Sequence, residues 1–179
     1  MSGAARALQS WIESFDHGLM RRLHRWSAPA WFRWWMLAST RGGDGWLWYT
    51  VGAVLLAAGG AEGRQAAAEA ALASTSAIAL FLVLKRKAAR RRPCELLPHC
   101  WAAVLPPDEF SFPSGHTMTA FAVTVPVALH FPEAGAVLYG CAISVALSRV
   151  ALGMHFLSDV VAGGALGWIL GTLAHRIAG

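Results

Sequence analysis

The apolar positions of the first 26 residues recur at intervals of three and four. Leu8, Trp11, Ile12, Phe15, Leu19, Leu23 and Trp26 form one stripe, with Arg6, Glu13, Asp16, Arg21, Arg22 and Arg25 between them. This predicts an amphipathic helix over residues 5–26, suited either to the membrane interface or to packing on the protein's own bundle. Beyond it the period gives way to continuous apolar runs. A bilayer crossing takes about 20 such residues. Runs at 46–60, 66–84, 114–131, 133–152 and 156–177 are the candidates; the first is short, the second carries a single charge at Glu69, and the third is broken by Pro126. Gly163, Gly164, Gly167 and Gly171 in the last run let helix backbones approach closely.

Seven of the nine tryptophans stand at positions 11, 26, 31, 34, 35, 46 and 48. Indole rings favour the water–lipid boundary, so residues 26–48 are expected to run along it or re-enter it. The expected fold is all-α: a polytopic membrane helical bundle of about five to six spans with an N-terminal amphipathic interfacial helix. One domain, 1–179, accounts for the chain, with 1–45 the interfacial region and 46–179 the helical bundle.

Composition narrows the function. The chain is 56% hydrophobic and 14% charged, against about 25% charged in soluble domains. That fits poorly with a disordered chain, a nucleic-acid-binding domain or a water-soluble enzyme. The formal charge of +5 suits anionic head groups or phosphorylated substrates, or simply sets membrane orientation. Cys94, Cys100 and Cys141 are too few for a disulfide framework. Cys94 and Cys100 either pair across a loop in an oxidising compartment or stay as thiols. Residues 1–25 lack the uninterrupted apolar core of a cleavable signal.

Three polar stretches lie at the ends of the runs. The first is Lys85-Arg86-Lys87-Ala88-Ala89-Arg90-Arg91-Arg92-Pro93. Alone it reads as a head-group anchor. Pro93, however, disfavours helical geometry at Arg92, which turns Arg92 away from the helix that carries Lys85. The second is Phe112-Pro113-Ser114-Gly115-His116. Here Ser114 reads as an N-cap, and the helix start behind it offers backbone N–H groups and a positive dipole end to an anion. The third runs from Ser148-Arg149 to His155 and Asp159. On a helix, residues four apart share a face, so Asp159 is placed to accept one ring N–H of His155 and leave the other nitrogen free. Three cations, neutral donors and two histidines make an apparatus for phosphoryl transfer. No carboxylate cluster is placed to hold Mg²⁺, and no metal or other cofactor is expected. Cys94, His99 and Cys100 match no common zinc spacing.

These residues resemble the three-part signature of the type 2 phosphatidic acid phosphatase superfamily: Lys-x6-Arg-Pro over 85–93, Pro-Ser-Gly-His over 113–116 and Ser-Arg-x5-His-x3-Asp over 148–159. The resemblance covers 85–159 directly and, through the pattern of spans, about 46–177. It implies a metal-independent integral-membrane phosphatase acting on a lipid phosphate monoester or an isoprenyl or other lipid diphosphate. It further implies that His155 is the nucleophile forming a phosphohistidine, with Asp159 orienting it. His116 would be the acid and then the base, and Lys85, Arg92, Ser114, Gly115 and Arg149 would bind the phosphate. Membrane members commonly have six spans; here an amphipathic helix takes the place of one.

With five spans, 13 of the 15 Lys and Arg residues lie on the side of the three motifs, leaving only Arg64 and Arg176 opposite. The positive-inside rule then places the motifs in the cytoplasm, whereas the resemblance implies a periplasmic site for many bacterial members. The expected location is a multi-pass protein of the bacterial inner membrane. The expected partners are membrane lipids and a lipid-phosphate substrate, without nucleic acid; the oligomeric state is not encoded in the pattern. The loop 94–111 is expected to cover the mouth of the site. Rival readings are a haem-binding electron carrier using His116, His130 and His155, and a non-catalytic lipid-binding protein.

Overall fold

The computed structural model describes residues 3–96 and 109–178, and these are helical apart from short connections. The helices are α1 (Gly3–Arg25), α2 (Ala30–Gly43), α3 (Trp46–Ala58), α4 (Gly60–Ala88), the single turn α5 (Pro93–Leu96), α6 (Gly115–His130), α7 (Pro132–Ala151) and α8 (Leu157–Ala178). By length and composition α4, α7 and α8 are able to cross a membrane; α3 is apolar but only 13 residues long.

The centre of the bundle is α6, which packs against α4, α7 and α8, while α2 lies on α7 and α3 on α4. Its buried positions include Thr117, Met118, Ala120 and every residue from Ala122 to Val127, so it is apolar nearly all round rather than along a stripe. Glycines on α8 bring it close. A Cβ on Gly163 would stand 2.6 Å from the Ser114 carbonyl oxygen, and one on Gly167 would stand 2.2 Å from that of Met118. Gly164, by contrast, has only ordinary contacts at 3.7 Å.

Two expectations need correction. Pro126 does not break the third run, since α6 continues through it to His130. Proline removes an N–H and crowds the carbonyl four residues earlier. Here the Ala122 carbonyl oxygen and the Pro126 ring both border the space left by Gly171, each 3.1 Å from where its Cβ would be. The run at 66–84 is also longer than expected, because α4 starts at Gly60 and carries Lys85, Arg86 and Lys87 in its last turn. Cations at a helix C-terminus meet the negative end of the dipole, which favours extending the helix through them. It stops at Ala89, with φ of 44° and its N–H on the Lys85 carbonyl.

Past that stop the chain is extended. Arg91 pairs antiparallel with Phe110, and the Ser111 N–H donates to the Arg90 carbonyl at 2.7 Å. The expected lid over 94–111 falls mostly outside the described residues, as do His99 and Cys100 and with them any Cys94–Cys100 pairing.

Candidate active site

The end of α7 and the start of α8 are joined by a tight turn. Gly153, at φ of 67°, occupies the left-handed region, where glycine is unstrained. Its carbonyl accepts the Cys94 N–H at 3.0 Å, and the Arg149 carbonyl accepts the N–H groups of Met154 (3.0 Å) and His155 (3.1 Å). This turn carries the third motif into contact with the first. Arg92 Nη1 donates to the Met154 carbonyl at 2.9 Å and lies 3.2 Å from His155 Nε2.

His155 is 2% exposed. Its Nδ1 lies 2.6 Å from the Ser111 carbonyl oxygen. A carbonyl only accepts, so the ring proton sits on Nδ1 and the Nε2 lone pair is available. Burial most of all, then the cations Arg149 and Arg92, hold the His155 pKa well below the ordinary imidazole value, with the Ser111 carbonyl opposing. Both the burial and the neighbouring cations thus favour the neutral ring.

The helical spacing of His155 and Asp159 does not operate as expected, because α8 begins only at Leu157. Asp159 Oδ2 is 3.9 Å from Nδ1 and accepts the Phe156 N–H at 2.8 Å. Its other oxygen accepts from Arg90 Nη1 at 2.6 Å. The Ser111 carbonyl holds the imidazole, and Asp159 stands behind as a charge.

His116 opens α6, and its Nε2 is 2.9 Å from Asp44 Oδ1 in the turn between α2 and α3. Ser114 occupies the N-cap position in extended geometry but makes no side-chain cap bond; its Oγ lies 3.0 Å from Thr117 Oγ1. Its N–H instead donates to the Asp159 carbonyl at 3.1 Å, tying the second motif to the third. A Cβ on Gly115 would meet the Phe81 ring at 3.0 Å, so glycine is what allows this helix start to sit against α4. Arg149, 2% exposed, donates to Thr40 Oγ1 on α2.

Arg92, Arg149, Gly115, His116 and His155 line one cavity of about 280 Å³, whose remaining wall includes Asp44, Tyr49, Ile78 and Phe81. Lys85 stands next to it, with Nζ 4.6 Å over the Phe81 ring. Ser114 and Asp159 are fully buried behind it. Two guanidinium groups and a helix N-terminus thus converge on an imidazole nitrogen in a space suited to a small anion. A larger groove of about 1020 Å³, between α1 and α8, includes none of the eight motif residues.

Several contributors escaped the sequence reading. Asp44 and Ser111 act from turns 72 and 44 positions away from the histidines they contact. Arg90 bonds Asp159 and, through Nη2, Asp16 Oδ2 at 2.8 Å. Asp16 is 1% exposed and also accepts a hydrogen bond from the Ser158 hydroxyl, so α1 is fastened to the start of α8. Despite burial, Asp159 and then Asp16 hold the Arg90 pKa above its ordinary value. Asp16 therefore departs from the expected polar side of α1. It is flanked by Ile12, Leu19, Met20 and Leu23 at helical spacing, a signal that places it on the apolar face.

The cavity lies at one end of an apolar helical bundle, and the comparisons give the family. Residues 66–179 match the PAP2 superfamily, and the chain belongs to it. It is 32% identical over 150 residues to the decaprenylphosphoryl-5-phosphoribose phosphatase of Mycobacterium tuberculosis, covering 80% of this chain and 81% of that one. It is 46% identical over 57 residues to the lipid A 1-phosphatase of Rhizobium etli, but that match covers 32% of this chain and only a quarter of the relative's length. A PAP2-type phosphatidylglycerolphosphate phosphatase from Bacillus subtilis superposes with a TM-score of 0.71 at 25% identity, covering 93% of this chain and 85% of that one. Aquifex aeolicus LpxE shares the fold, with a TM-score of 0.69 at 22% identity over 89% of this chain and 93% of that one. The protein is an integral, multi-pass membrane protein.

Proposed function

We propose that the chain is a metal-independent phosphatase of lipid phosphates that works through a phosphohistidine on His155. The observation that carries this reading is the setting of His155, with Nδ1 on a carbonyl and Nε2 beside Arg92 in a cavity shared with Arg149, Gly115 and His116. The cations and the α6 N-terminus hold three phosphate oxygens. Nε2 attacks phosphorus in line, the bond to the lipid oxygen breaks, and His116 gives that oxygen a proton. His116 then takes a proton from water as the water oxygen attacks phosphorus. The P–N bond breaks, and inorganic phosphate leaves. Lys85 and Ser114 support the phosphate-binding residues, and Asp159 steadies the imidazole as it gains charge.

The substrate is an amphiphile. A cavity of about 280 Å³ is at the small end for ligand pockets, so it takes a phosphate head while the tail leaves past Tyr49 and Ile78, which are exposed and apolar-faced. In this reading α3, α4, α6, α7 and α8 are five spans of a single domain in a bacterial inner membrane. The tryptophans of α1 and α2, among them Trp11, Trp31 and Trp34, are exposed and suit the interface. The relatives named above act on different phosphorylated lipids, which supports the class rather than one substrate. The test is phosphate release by purified protein from a panel of lipid mono- and diphosphates in EDTA, with vanadate as inhibitor. Release in EDTA, blocked by vanadate, is expected; release that requires a restored divalent ion overturns the metal-free reading.

A further inference from the structure

Glu69 is the single charge within its apolar run, and the phosphatase site does not use it. It is completely buried. An ionisable group at such a position is costly and calls for a function. His130 Nε2 lies 3.1 Å from each Glu69 oxygen, and His175 Nδ1 lies 2.9 Å from Oε2. The two imidazoles stand edge to face with centroids 5.2 Å apart. Among the described residues this is the one group of three or more His, Cys, Asp or Glu side chains whose ligand atoms all lie within 4.8 Å of one another.

The three residues come from α4, α6 and α8 at the end of the bundle away from the phosphate cavity. Glu69 precedes Lys85 by 16 positions on α4, about 24 Å along a helix. His130 follows His116 by 14 positions on α6, about 21 Å.

We infer that Glu69, His130 and His175 form a site for a divalent transition cation of the zinc type. Two imidazoles and a carboxylate are a zinc donor set that leaves one position for water. Ligands held tetrahedrally at about 2.0–2.1 Å from zinc stand about 3.3 Å apart. The observed 2.9 and 3.1 Å separations therefore need to open by only a few tenths of an ångström. Binding requires no net loss of protons, because each ring N–H moves to its other nitrogen. For His130 that nitrogen is Nδ1, 3.7 Å from Glu62 Oε1, a carboxylate that a small side-chain shift brings within hydrogen-bond reach as an outer-sphere partner. For His175, one-third exposed, the other nitrogen is free to meet water. The charges also balance, with two carboxylates against one dication. The ion links the three central helices and so braces the far end of α6, whose near end forms the phosphate cavity.

The test uses full-length protein in detergent, with any affinity tag removed, stripped with EDTA and then freed of chelator. Co²⁺ is added first and Zn²⁺ second. The expected result is one equivalent of Co²⁺ per chain with the visible bands of a four-coordinate N/O site, displaced by Zn²⁺, and a higher Tm with Zn²⁺ than without. Glu69→Gln and His175→Asn should each weaken uptake by on the order of 100-fold or more, and the exposed Glu62→Gln by roughly tenfold. Wild-type protein that takes up no stoichiometric metal overturns the proposal, and so does uptake that Glu69→Gln and His175→Asn leave unchanged. The wild-type titration decides even where a variant does not fold. Phosphate release in EDTA is read separately, so failure of this site leaves the phosphatase reading standing.

Discussion

Replacing Asp159 by asparagine keeps shape and removes one charge. In the structure Asp159 Oδ2 is 3.9 Å from His155 Nδ1 and makes its hydrogen bond to the Phe156 N–H instead. Its effect on the imidazole is therefore mainly Coulombic. Two unit charges at that distance interact by about 4 kcal/mol with an effective dielectric of about 20. In the proposed mechanism the imidazole starts neutral and gains positive charge as Nε2 bonds phosphorus, so this attraction belongs to the transition state and not to the substrate complex. Each 1.36 kcal/mol is about tenfold in rate, which sets an upper limit of about 1000-fold. Arg90, 2.6 Å from the other carboxylate oxygen, offsets part of the field, so a loss of about 100- to 1000-fold in kcat with KM nearly unchanged is expected. The assay is steady-state phosphate release with the lipid phosphate that wild-type protein turns over fastest. A kcat within about threefold of wild type, about 0.6 kcal/mol, would refute the electrostatic role, as would a change confined to KM.

Gly167→Ala would place a Cβ 2.2 Å from the Met118 carbonyl oxygen. Overpacking of this kind costs about 1–3 kcal/mol, at about 2–4 °C of Tm per kcal/mol for a chain of this size. Gly164→Ala, with ordinary 3.7 Å neighbours, should leave Tm nearly unchanged in the same thermal melt, and equal losses for the two would contradict the close α6–α8 approach. The pH profile follows from the lowered pKa of His155. Protonation removes the Nε2 lone pair, and with the pKa depressed that loss sets in only well below the ordinary imidazole value of 6.5. The kcat/KM profile should therefore show no acid limb centred near pH 6.5; such a limb would mean that His155 titrates like an exposed imidazole.

Helix positions were legible because apolar runs and three-and-four spacing report directly on which surfaces avoid water. The motif residues were legible because each pairs an unusual polar group with a span end. Partners supplied by turns were not. Nothing local to Asp44 or Ser111 says that one will meet His116 and the other His155, since those contacts exist only once α2, α6 and the 110–111 segment are packed together. The expected His155–Asp159 hydrogen bond rested on helical spacing, and the actual helix starts two residues too late for it. Pro126 misled for a related reason: its effect on α6 depends on the space at Gly171 of a different helix.

The proposed mechanism turns on a covalent bond from His155 Nε2 to phosphorus. Rapid quenching of turnover with a radiolabelled lipid phosphate, followed by peptide mapping under alkaline conditions, reads it directly. An acid-labile, base-stable label on His155, absent from His155→Ala, is expected. A turning-over enzyme with the label on another residue, or with no phosphoenzyme when product release shows a burst, would contradict it.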